Sequence, residues 1–182
     1  MSIFSQRPTA PHKNFIAKNT AIKRMMGLFY IFGGNAMTHE DAGHYAAKHP
    51  EDRKPDPAVQ KAVLEAAKNG EVTCGAAHRI AASCGTTPSE VGFTVDYNEF
   101  RITKCQLGLF GYAPERRIVT PADTVSVDLE QAIRSSLNEK GRLSCSAAWE
   151  IAASQKIKKI DVSAACEKLG IRIAACQLGA FR

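Results

Sequence analysis

The sequence has no apolar run of the roughly 18 residues that a transmembrane helix needs. The longest run, MMGLFYIF at residues 25–32, stops at Gly33 and Gly34. The N-terminus also lacks the order of basic, apolar and small residues that marks a secretory signal peptide. We therefore expect a cytoplasmic protein without a membrane partner, whose six cysteines are thiols or metal ligands rather than disulfides.

Catalytic signatures are missing as well. No stretch resembles a nucleophile–base pair, a phosphate-binding glycine loop or a pair of catalytic carboxylates. HEDAGH at residues 39–44 invites comparison with the zinc-protease helix, but its histidines are five residues apart and do not share a helix face. Thr38 with Asp41 is more simply a helix cap. We predict a protein that is not an enzyme.

Acidic residues are the minority, at 18 against 24 basic ones, which gives a net charge of +6. The excess is uneven. Residues 1–54 carry eight basic and four acidic side chains, residues 55–112 five and six, residues 113–125 two and two, and residues 126–182 nine and six. The basic character therefore belongs to the N-terminal segment and the last third of the chain. Such patches suit nucleic acid, an acidic protein partner or solubility, and composition does not choose among them.

An internal repeat organises most of the chain. Cys105-Gln106-Leu107-Gly108 returns 71 residues later as Cys176-Gln177-Leu178-Gly179. At the same offset, without a gap, further identities align: Gly70 with Gly141, Cys74 with Cys145, residues 80–83 with 151–154, and Val91 with Val162. We interpret this as a duplication. The predicted division is a basic N-terminal arm with short helices (1–54), copy 1 (55–112), a linker (113–125) and copy 2 (126–182).

Each copy predicts three helices followed by a short β-like run. Apolar residues recur at helical spacing over residues 58–70 and 125–141, and the glycine that closes each stretch suits a C-terminal cap. The residues predicted to cap the second and third helices are Thr73 and Thr87 in copy 1, and Ser144 and Asp161 in copy 2. Gly170 is the predicted stop of the last helix, and the β-like runs are RITKC at 101–105 and IRIAAC at 171–176.

The predicted fold class is therefore mainly α. It consists of two tandem helix-turn-helix-like repeats, each ending in a short β-like strand, behind a helical N-terminal arm. The turn contains Gly85 in copy 1 but Lys156 in copy 2, so we expect the two turns to differ. We also expect the cysteine, leucine and aromatic residue of each CQLG segment (residues 105–110 and 176–181) to complete the core of their own copy, while the glycine permits a tight turn.

The pattern Cys-x-x-Ala-x-x-Ile-Ala, followed by valine, isoleucine and Cys-Gln-Leu-Gly-x-Phe, resembles a cysteine-bearing helix-turn-helix repeat of anaerobic bacteria. That family includes small proteins or extensions associated with molybdenum- or tungsten-cofactor and formate dehydrogenase functions. The resemblance covers both copies and none of residues 1–54. It implies a setting of anaerobic metalloenzymes. An accessory subunit that binds a larger enzyme of the formate dehydrogenase type, through its arm and repeat faces, is therefore the alternative function.

The leading prediction is a nucleic-acid-binding regulator. The third helix of copy 1, PSEVGFTVDYNEF, has no arginine or lysine and three carboxylates, which is a poor face to press against phosphate. Copy 2 is better supplied with cations. The residues predicted to contact nucleic acid are Lys156, Lys158, Lys159, Lys168 and Arg172.

Four cysteines recur at the repeat offset. Cys74 and Cys145 lie near the start of the second helix of each copy, and Cys105 and Cys176 follow 31 residues later. Four thiolates would suit zinc or an iron–sulfur cluster, although no Cys-x-x-Cys is present. We expect no cofactor, with these cysteines filling small buried slots, and keep zinc or a cluster as the third hypothesis.

The apolar run of the arm is a candidate for protein contact. It either docks on the repeats or inserts into a partner. The predicted partner-binding residues are Met25, Met26, Leu28, Phe29, Tyr30 and Phe32. The predicted partners are thus DNA or a larger protein complex, and a homo-oligomer is compatible with the sequence.

Overall fold

The computed structural model describes residues 43–181, which form six α-helices, one 3-10 helix and four short strands. The elements follow the same order in both copies. In copy 1 they are α1 Pro57–Ala66, β1 Glu71–Thr73, α2 Cys74–Ser83, α3 Pro88–Tyr97 and β2 Arg101–Thr103. In copy 2 they are α4 Val127–Ser135, β3 Leu143–Ser144, α5 Cys145–Ser154, α6 Lys159–Leu169 and β4 Ile173–Ala174. The prediction of a mainly α protein is confirmed, and none of these helices is long and apolar enough to cross a membrane.

Side-chain caps determine where several helices begin. Thr73 accepts a hydrogen bond from the Ala76 N–H at 3.2 Å, and Ser144 accepts the equivalent bond from the Ala147 N–H at 3.1 Å. Thr87 caps α3 in the same way. These bonds satisfy N–H groups that have no partner within the helix. The three predicted caps are confirmed.

The start of α6 differs from the prediction. The helix begins at Lys159, so Asp161 lies in its first turn. The Asp161 carboxylate accepts a hydrogen bond from the Lys158 N–H at 3.0 Å. The prediction that Asp161 is the N-cap is wrong, because the carboxylate satisfies the helix start from inside the first turn, where negative charge is also favoured. Gly170, with a φ of 67°, ends the helix as predicted.

The first helix of each copy is shorter than its apolar pattern predicts. α1 ends at Ala66 and α4 ends at Ser135, so Gly70 and Gly141 are not helix caps. The two glycines lie in the turns that lead to β1 and β3, with φ values of 73° and 66°. Glycine enters this left-handed region at little cost. The chain must turn here because a paired strand follows at once.

Each copy contains one pair of parallel strands. β1 pairs with β2 so that Thr73 lies opposite Thr103, and β3 pairs with β4 so that Ser144 lies opposite Ala174. The two pairs have the same register: adding 71 to the residue numbers of the Thr73–Thr103 pair gives the Ser144–Ala174 pair. The sequence predicted the second strand of each pair but not the first. Parallel pairing brings the ends of both strands to one edge.

The turns between the second and third helices are alike. Gly85 has a φ of 62°, and Lys156 at the equivalent position has a φ of 56°. The Thr86 N–H bonds to the Ala81 carbonyl at 2.9 Å, and the equivalent bond of copy 2, from Ile157 N–H to the Ala152 carbonyl, is 3.0 Å long. The expectation that the turns differ is wrong. Lys156 takes the left-handed conformation at a cost of about 1 kcal/mol, because the surrounding bonds impose it.

The CQLG segments complete the core of the opposite copy. Leu107, fully buried, belongs to the apolar cluster of copy 2, together with Leu129 and Ile133 of α4. Leu178 belongs to the cluster of copy 1, which includes Val59 and Val63 of α1. The expectation that each segment completes its own copy is wrong. A leucine satisfies either core equally well by composition, and the path of the chain after β2 and β4 decides between them.

The segment before copy 1 covers α3. Its described part contains a 3-10 helix, Tyr45–Lys48, whose Tyr45 N–H donates to the Glu99 carboxylate at 2.8 Å. The buried Asp96 of α3 accepts hydrogen bonds from Lys48 Nζ at 2.7 Å and from His49 at 2.9 Å. The rest of the predicted helical arm lies outside the described residues, as do Met25, Met26, Leu28, Phe29, Tyr30 and Phe32.

The linker covers α6 in a similar way. The Ala122 N–H donates to the carbonyl of Ala164 at 3.0 Å. Arg117 forms an ion pair with Glu167 at 3.3 Å, and Glu167 stands at the position that Asp96 occupies in copy 1. In both copies, therefore, the chain that precedes the copy runs along its third helix.

Candidate metal centre

The strands bring two cysteines of each copy together. Cys74 is the first residue of α2, directly after β1, and Cys105 lies two residues after the paired strand β2. Between β2 and Cys105 the chain turns through Lys104, which has a φ of 50°. Copy 2 repeats this arrangement with Cys145, Cys176 and a left-handed Ala175 (φ 56°). The recurring cysteines thus mark the ends of two paired strands.

The CQLG segments fold into the same closed loop. The Cys105 carbonyl accepts from the Gly108 N–H at 2.8 Å, and the Cys105 N–H donates to the Phe110 carbonyl at 3.2 Å. The equivalent bonds of copy 2 are both 3.0 Å long. The two glycines have φ values of 73° and 74°. The segment recurs in the sequence because the same loop, with a glycine at its left-handed position, positions each second cysteine.

Two opposing effects act on the pKa of the cysteines in these loops. Burial raises the pKa of Cys105 and of Cys176, while hydrogen bonds from loop N–H groups to each sulfur lower it. The donors are Leu109, Leu107 and Phe110 for Cys105, and Ala180 and Leu178 for Cys176. Such bonds favour the thiolate over the thiol. Burial is the larger effect, so the pKa of each thiol lies above its ordinary value, and the loop donors only reduce that rise.

The loops are held by the third helix of the opposite copy. Ser163 of α6 donates a hydrogen bond to the Leu107 carbonyl at 2.6 Å. Its equivalent in α3 is Gly92, where an added Cβ would lie 2.0 Å from the Leu178 carbonyl oxygen. A side chain cannot fit there without moving the backbone. The contact between helix and loop is thus made by the Ser163 hydroxyl in α6 and by close approach of the backbone at Gly92 in α3.

Two aromatic pairs join equivalent positions of the copies. His78 stacks on Trp149 with 4.2 Å between ring centroids, and Phe110 meets Phe181 edge to face at 5.9 Å. In each pair the residues are 71 positions apart. A position that contacts its own equivalent is expected beside an approximate two-fold axis. Each of these residues follows a repeated cysteine by four or five positions, so the cysteines lie near the same axis.

The four repeated cysteines form two pairs, and each pair takes one cysteine from each copy. Cys105 is buried in one apolar cluster with Cys145, and Cys176 packs against the cluster that contains Cys74. Burial raises the pKa of Cys74 to about 12; the Gln106 N–H opposes this, and the charges of the other three thiols add to it. Ionising another of the four would therefore disfavour ionising Cys74. We call this group (Cys74, Cys105, Cys145 and Cys176) the four-cysteine site.

Comparison of the chain with protein-family models, curated proteins and solved structures found no match. The four-cysteine site is a set of soft thiols, of which Cys74, Cys105 and Cys145 are buried and Cys176 is half-buried. Soft thiolates select zinc, copper(I) and iron–sulfur clusters.

Lys159 faces this site. Its Nζ donates to the Gln106 side-chain oxygen at 2.6 Å and lies 3.3 Å from the centre of the Trp149 ring. Burial lowers the pKa of Lys159, and the charges of Cys74 and Cys145 raise it. The sequence assigned Lys159 to nucleic acid, whereas these contacts direct it inward. The sequence offered one indication of this position: Lys159 aligns with Pro88, the first residue of α3.

The other predicted residues are elsewhere. The four remaining cations of the predicted nucleic-acid surface are exposed: Lys156, Lys158, Lys168 and Arg172. Cys166 is buried in the core of copy 2, and burial raises its pKa to about 11. Cys84 packs against the core of copy 1. Neither belongs to the four-cysteine site.

Proposed function

We propose that the protein is a non-enzymatic metal-binding protein that holds one metal centre through Cys74, Cys105, Cys145 and Cys176. The observation that carries this proposal is the arrival of two cysteines from each copy, on equivalent strand ends and loops, at one buried interface. A duplicated framework that presents identical ligands around an axis suits a symmetric tetrathiolate site.

The hydrogen bonds to sulfur favour this proposal over simple core filling. A cysteine that only fills space behaves as a small hydrophobe and needs no donors. Here hydrogen bonding from backbone N–H groups opposes the rise that burial causes in the pKa of Cys105 and of Cys176, and Gln177 donates to Cys145 Sγ at 3.5 Å. These donors offset part of the charge of a thiolate, and a bound cation would offset the rest. Without a cation, four neighbouring thiolates would repel one another.

The helix-turn-helix-like units serve this proposal as a scaffold. Their third helices, α3 and α6, would have to enter the major groove if the protein read DNA bases. Residues 43–54 cover α3 and the linker covers α6, through the contacts of Asp96 and Glu167. The same helices also hold the CQLG loops of the opposite copy. This arrangement favours the support of a site over groove reading.

The test is metal analysis of protein purified without oxygen. We expect about one metal centre per chain. Serine at any one of the four cysteines should release most of the metal and loosen both copies together, because metal-binding energy is then part of the folding energy. Cys84→Ser is the matched control, since Cys84 lies at the end of α2, outside the site, and should keep the metal. Metal-free protein, or loss confined to one copy, would contradict the proposal.

A second candidate function is contact with nucleic-acid phosphates. Lys156, Lys158, Lys168 and Arg172 are all exposed in copy 2, which supports an electrostatic surface that needs no groove reading. Binding to DNA would then be coupled to the metal centre through α5 and α6, because this helix pair carries both Cys145 and three of the four cations. The alternative is an accessory subunit that binds a larger metalloenzyme through its arm and repeat faces; the apolar run of the arm lies outside the described residues.

A further inference from the structure

The spacing of the thiols bears on which metal they bind. A single zinc ion holds its sulfurs at about 2.3 Å, so four ligands must lie within about 3.8 Å of one another. Among residues 43–181, no three cysteine, histidine or acidic side chains are placed closely enough to share one ion. The four thiols nevertheless adjoin the same interface between the two cores. Thiols that adjoin one interface without being close enough to share one ion suit a multinuclear cluster, whose cysteine ligands bind different irons.

Trp149 supplies an independent observation. Its indole N–H is buried and has no hydrogen-bond acceptor among the described residues. The residue lies one helical turn after Cys145 and packs against the cores of both copies, so it borders the four-cysteine site. Buried donors normally have an acceptor, and one that lacks it calls for an explanation such as a bound group. A cluster brings inorganic sulfides that accept N–H bonds, whereas a zinc ion brings no new acceptor.

Lys159 supplies a charge of the required sign. It is half-buried and makes no ion pair with a carboxylate among the described residues. Its partners are the Gln106 oxygen and the face of Trp149. The equivalent position in copy 1 is Pro88, so the positive charge lies on one side of the site only. A cluster held by four thiolates carries net negative charge, which this cation would offset.

We infer that the four-cysteine site takes a 4Fe–4S cluster rather than zinc, and that Lys159 raises the reduction potential of that cluster. The inference rests on the proposed function, that the four cysteines bind metal. Uptake of one electron adds negative charge to the site, and the nearby ammonium group favours it. No bond forms or breaks in this step; the irons of the cluster are reduced, and a low-potential donor such as dithionite is oxidised.

The first experiment identifies the metal. The full chain is purified without oxygen, reconstituted with ferrous iron and sulfide, and separately offered zinc alone. We expect about four irons and four sulfides per chain, with cluster absorption in the visible range. Stoichiometric zinc that iron and sulfide cannot replace would overturn the cluster inference and leave the metal-binding proposal standing. Failure to bind either metal would overturn both.

The second experiment tests Lys159. In a dithionite titration we expect Lys159→Met to keep its iron and shift the midpoint potential downward, and Lys159→Arg to restore it. Lys168→Met, an exposed cation of the same helix, is the control and should leave the potential unchanged. Equal potentials for Lys159→Met and the parent protein would remove Lys159 from this role. If Lys159→Met loses iron, Lys159→Gln and Lys159→Arg are compared with the parent protein instead. Only Lys159→Gln, which removes the positive charge, should have a lower midpoint potential.

Discussion

The imidazole of His78 stacks on the indole of Trp149 with 4.2 Å between centroids, although the two residues occupy the same position in different copies. This contact between equivalents ties the first helical turns after Cys74 and Cys145 to each other. The two copies are therefore in contact next to Cys74 and Cys145, the first residues of α2 and α5. A substitution that weakens the contact between the copies should also change the four-cysteine site. A substitution in the site should change the stability of both copies.

The exchange of leucines predicts that a substitution in copy 1 weakens the core of copy 2. Leu107→Ala should lower the free energy of unfolding by about 2–5 kcal/mol, because a fully buried leucine leaves a cavity. Although Leu107 belongs to copy 1 in sequence, the loss should appear in the core of copy 2. Hydrogen exchange of α4 and of α1 measures this, with Leu64→Ala on the exposed face of α1 as control. Faster exchange in α1 alone would contradict the exchanged packing.

Gly92 is predicted to tolerate no side chain. Gly92→Ala should destabilise the fold by about 1–3 kcal/mol, because the new methyl would meet the Leu178 carbonyl. Gly75→Ala is a matched helical control, since its methyl would meet only the ends of two flexible side chains, Gln106 at 3.3 Å and Arg79 at 3.6 Å. Chemical denaturation compares the two variants. Equal stability would mean that α3 and the second CQLG loop do not touch.

The left-handed turn of copy 2 should be improvable. Lys156→Gly should stabilise the protein by about 0.5–1 kcal/mol, because glycine enters this conformation without strain. Adding a side chain at the equivalent position of copy 1, Gly85→Ala, should destabilise the protein by about 1 kcal/mol. Thermal unfolding of both variants gives the comparison. A destabilised Lys156→Gly would show that the lysine side chain contributes more than its backbone costs.

The stability should depend on pH through His78. Burial, with a smaller effect from the Lys159 charge, lowers the pKa of His78 from its ordinary value of 6.5. The unfolded chain therefore binds more protons as the pH falls through 6.5, and the free energy of unfolding should decrease from there down to the pKa of the folded state. Above 6.5 this contribution is constant. Urea titrations over this range, with His78→Phe as comparison, should show a flatter profile for the variant.

Phosphate contact by copy 2 predicts a particular dependence on salt. Neutralising Lys156, Lys158 and Lys168 together should flatten the slope of log affinity against log salt by about 0.9 per lost contact on duplex DNA. Lys61→Gln, an exposed cation of α1, serves as the control. Fluorescence anisotropy with a random-sequence duplex measures the slope. An unchanged slope removes copy 2 from any nucleic-acid surface.

Local features of the fold were predictable from the sequence. Thr73, Ser144 and Thr87 cap helices as expected, because a capping bond involves only three or four consecutive residues. The strands β1 and β3 were missed because a helix follows each of them at once, at Cys74 and at Cys145, so neither shows as a separate extended run. The left-handed Lys156 was missed because the surrounding bonds, not its own propensity, set its conformation.

The site was predictable in composition but not in surroundings. The offset of 71 identifies the four cysteines as one set, since duplication repeats what it copies. It does not say which core Leu107 enters, because either core would bury it. The positions of Lys159 and Trp149 depend on contacts between the copies. Sequence alone shows Lys159 only as one cation in a basic run.

The exchange of Leu107 and Leu178 also bears on the order of events during synthesis. Copy 1 is translated first, yet its core lacks Leu178 until the second CQLG segment has left the ribosome. Domains usually fold from the N-terminus as they emerge. Here the first half must wait, with Val59, Val63 and their neighbours incompletely covered, for almost the whole second half. A nascent chain halted before residue 178 should therefore remain open to protease in both halves, and a pause in translation late in copy 2 would prolong the exposure of copy 1.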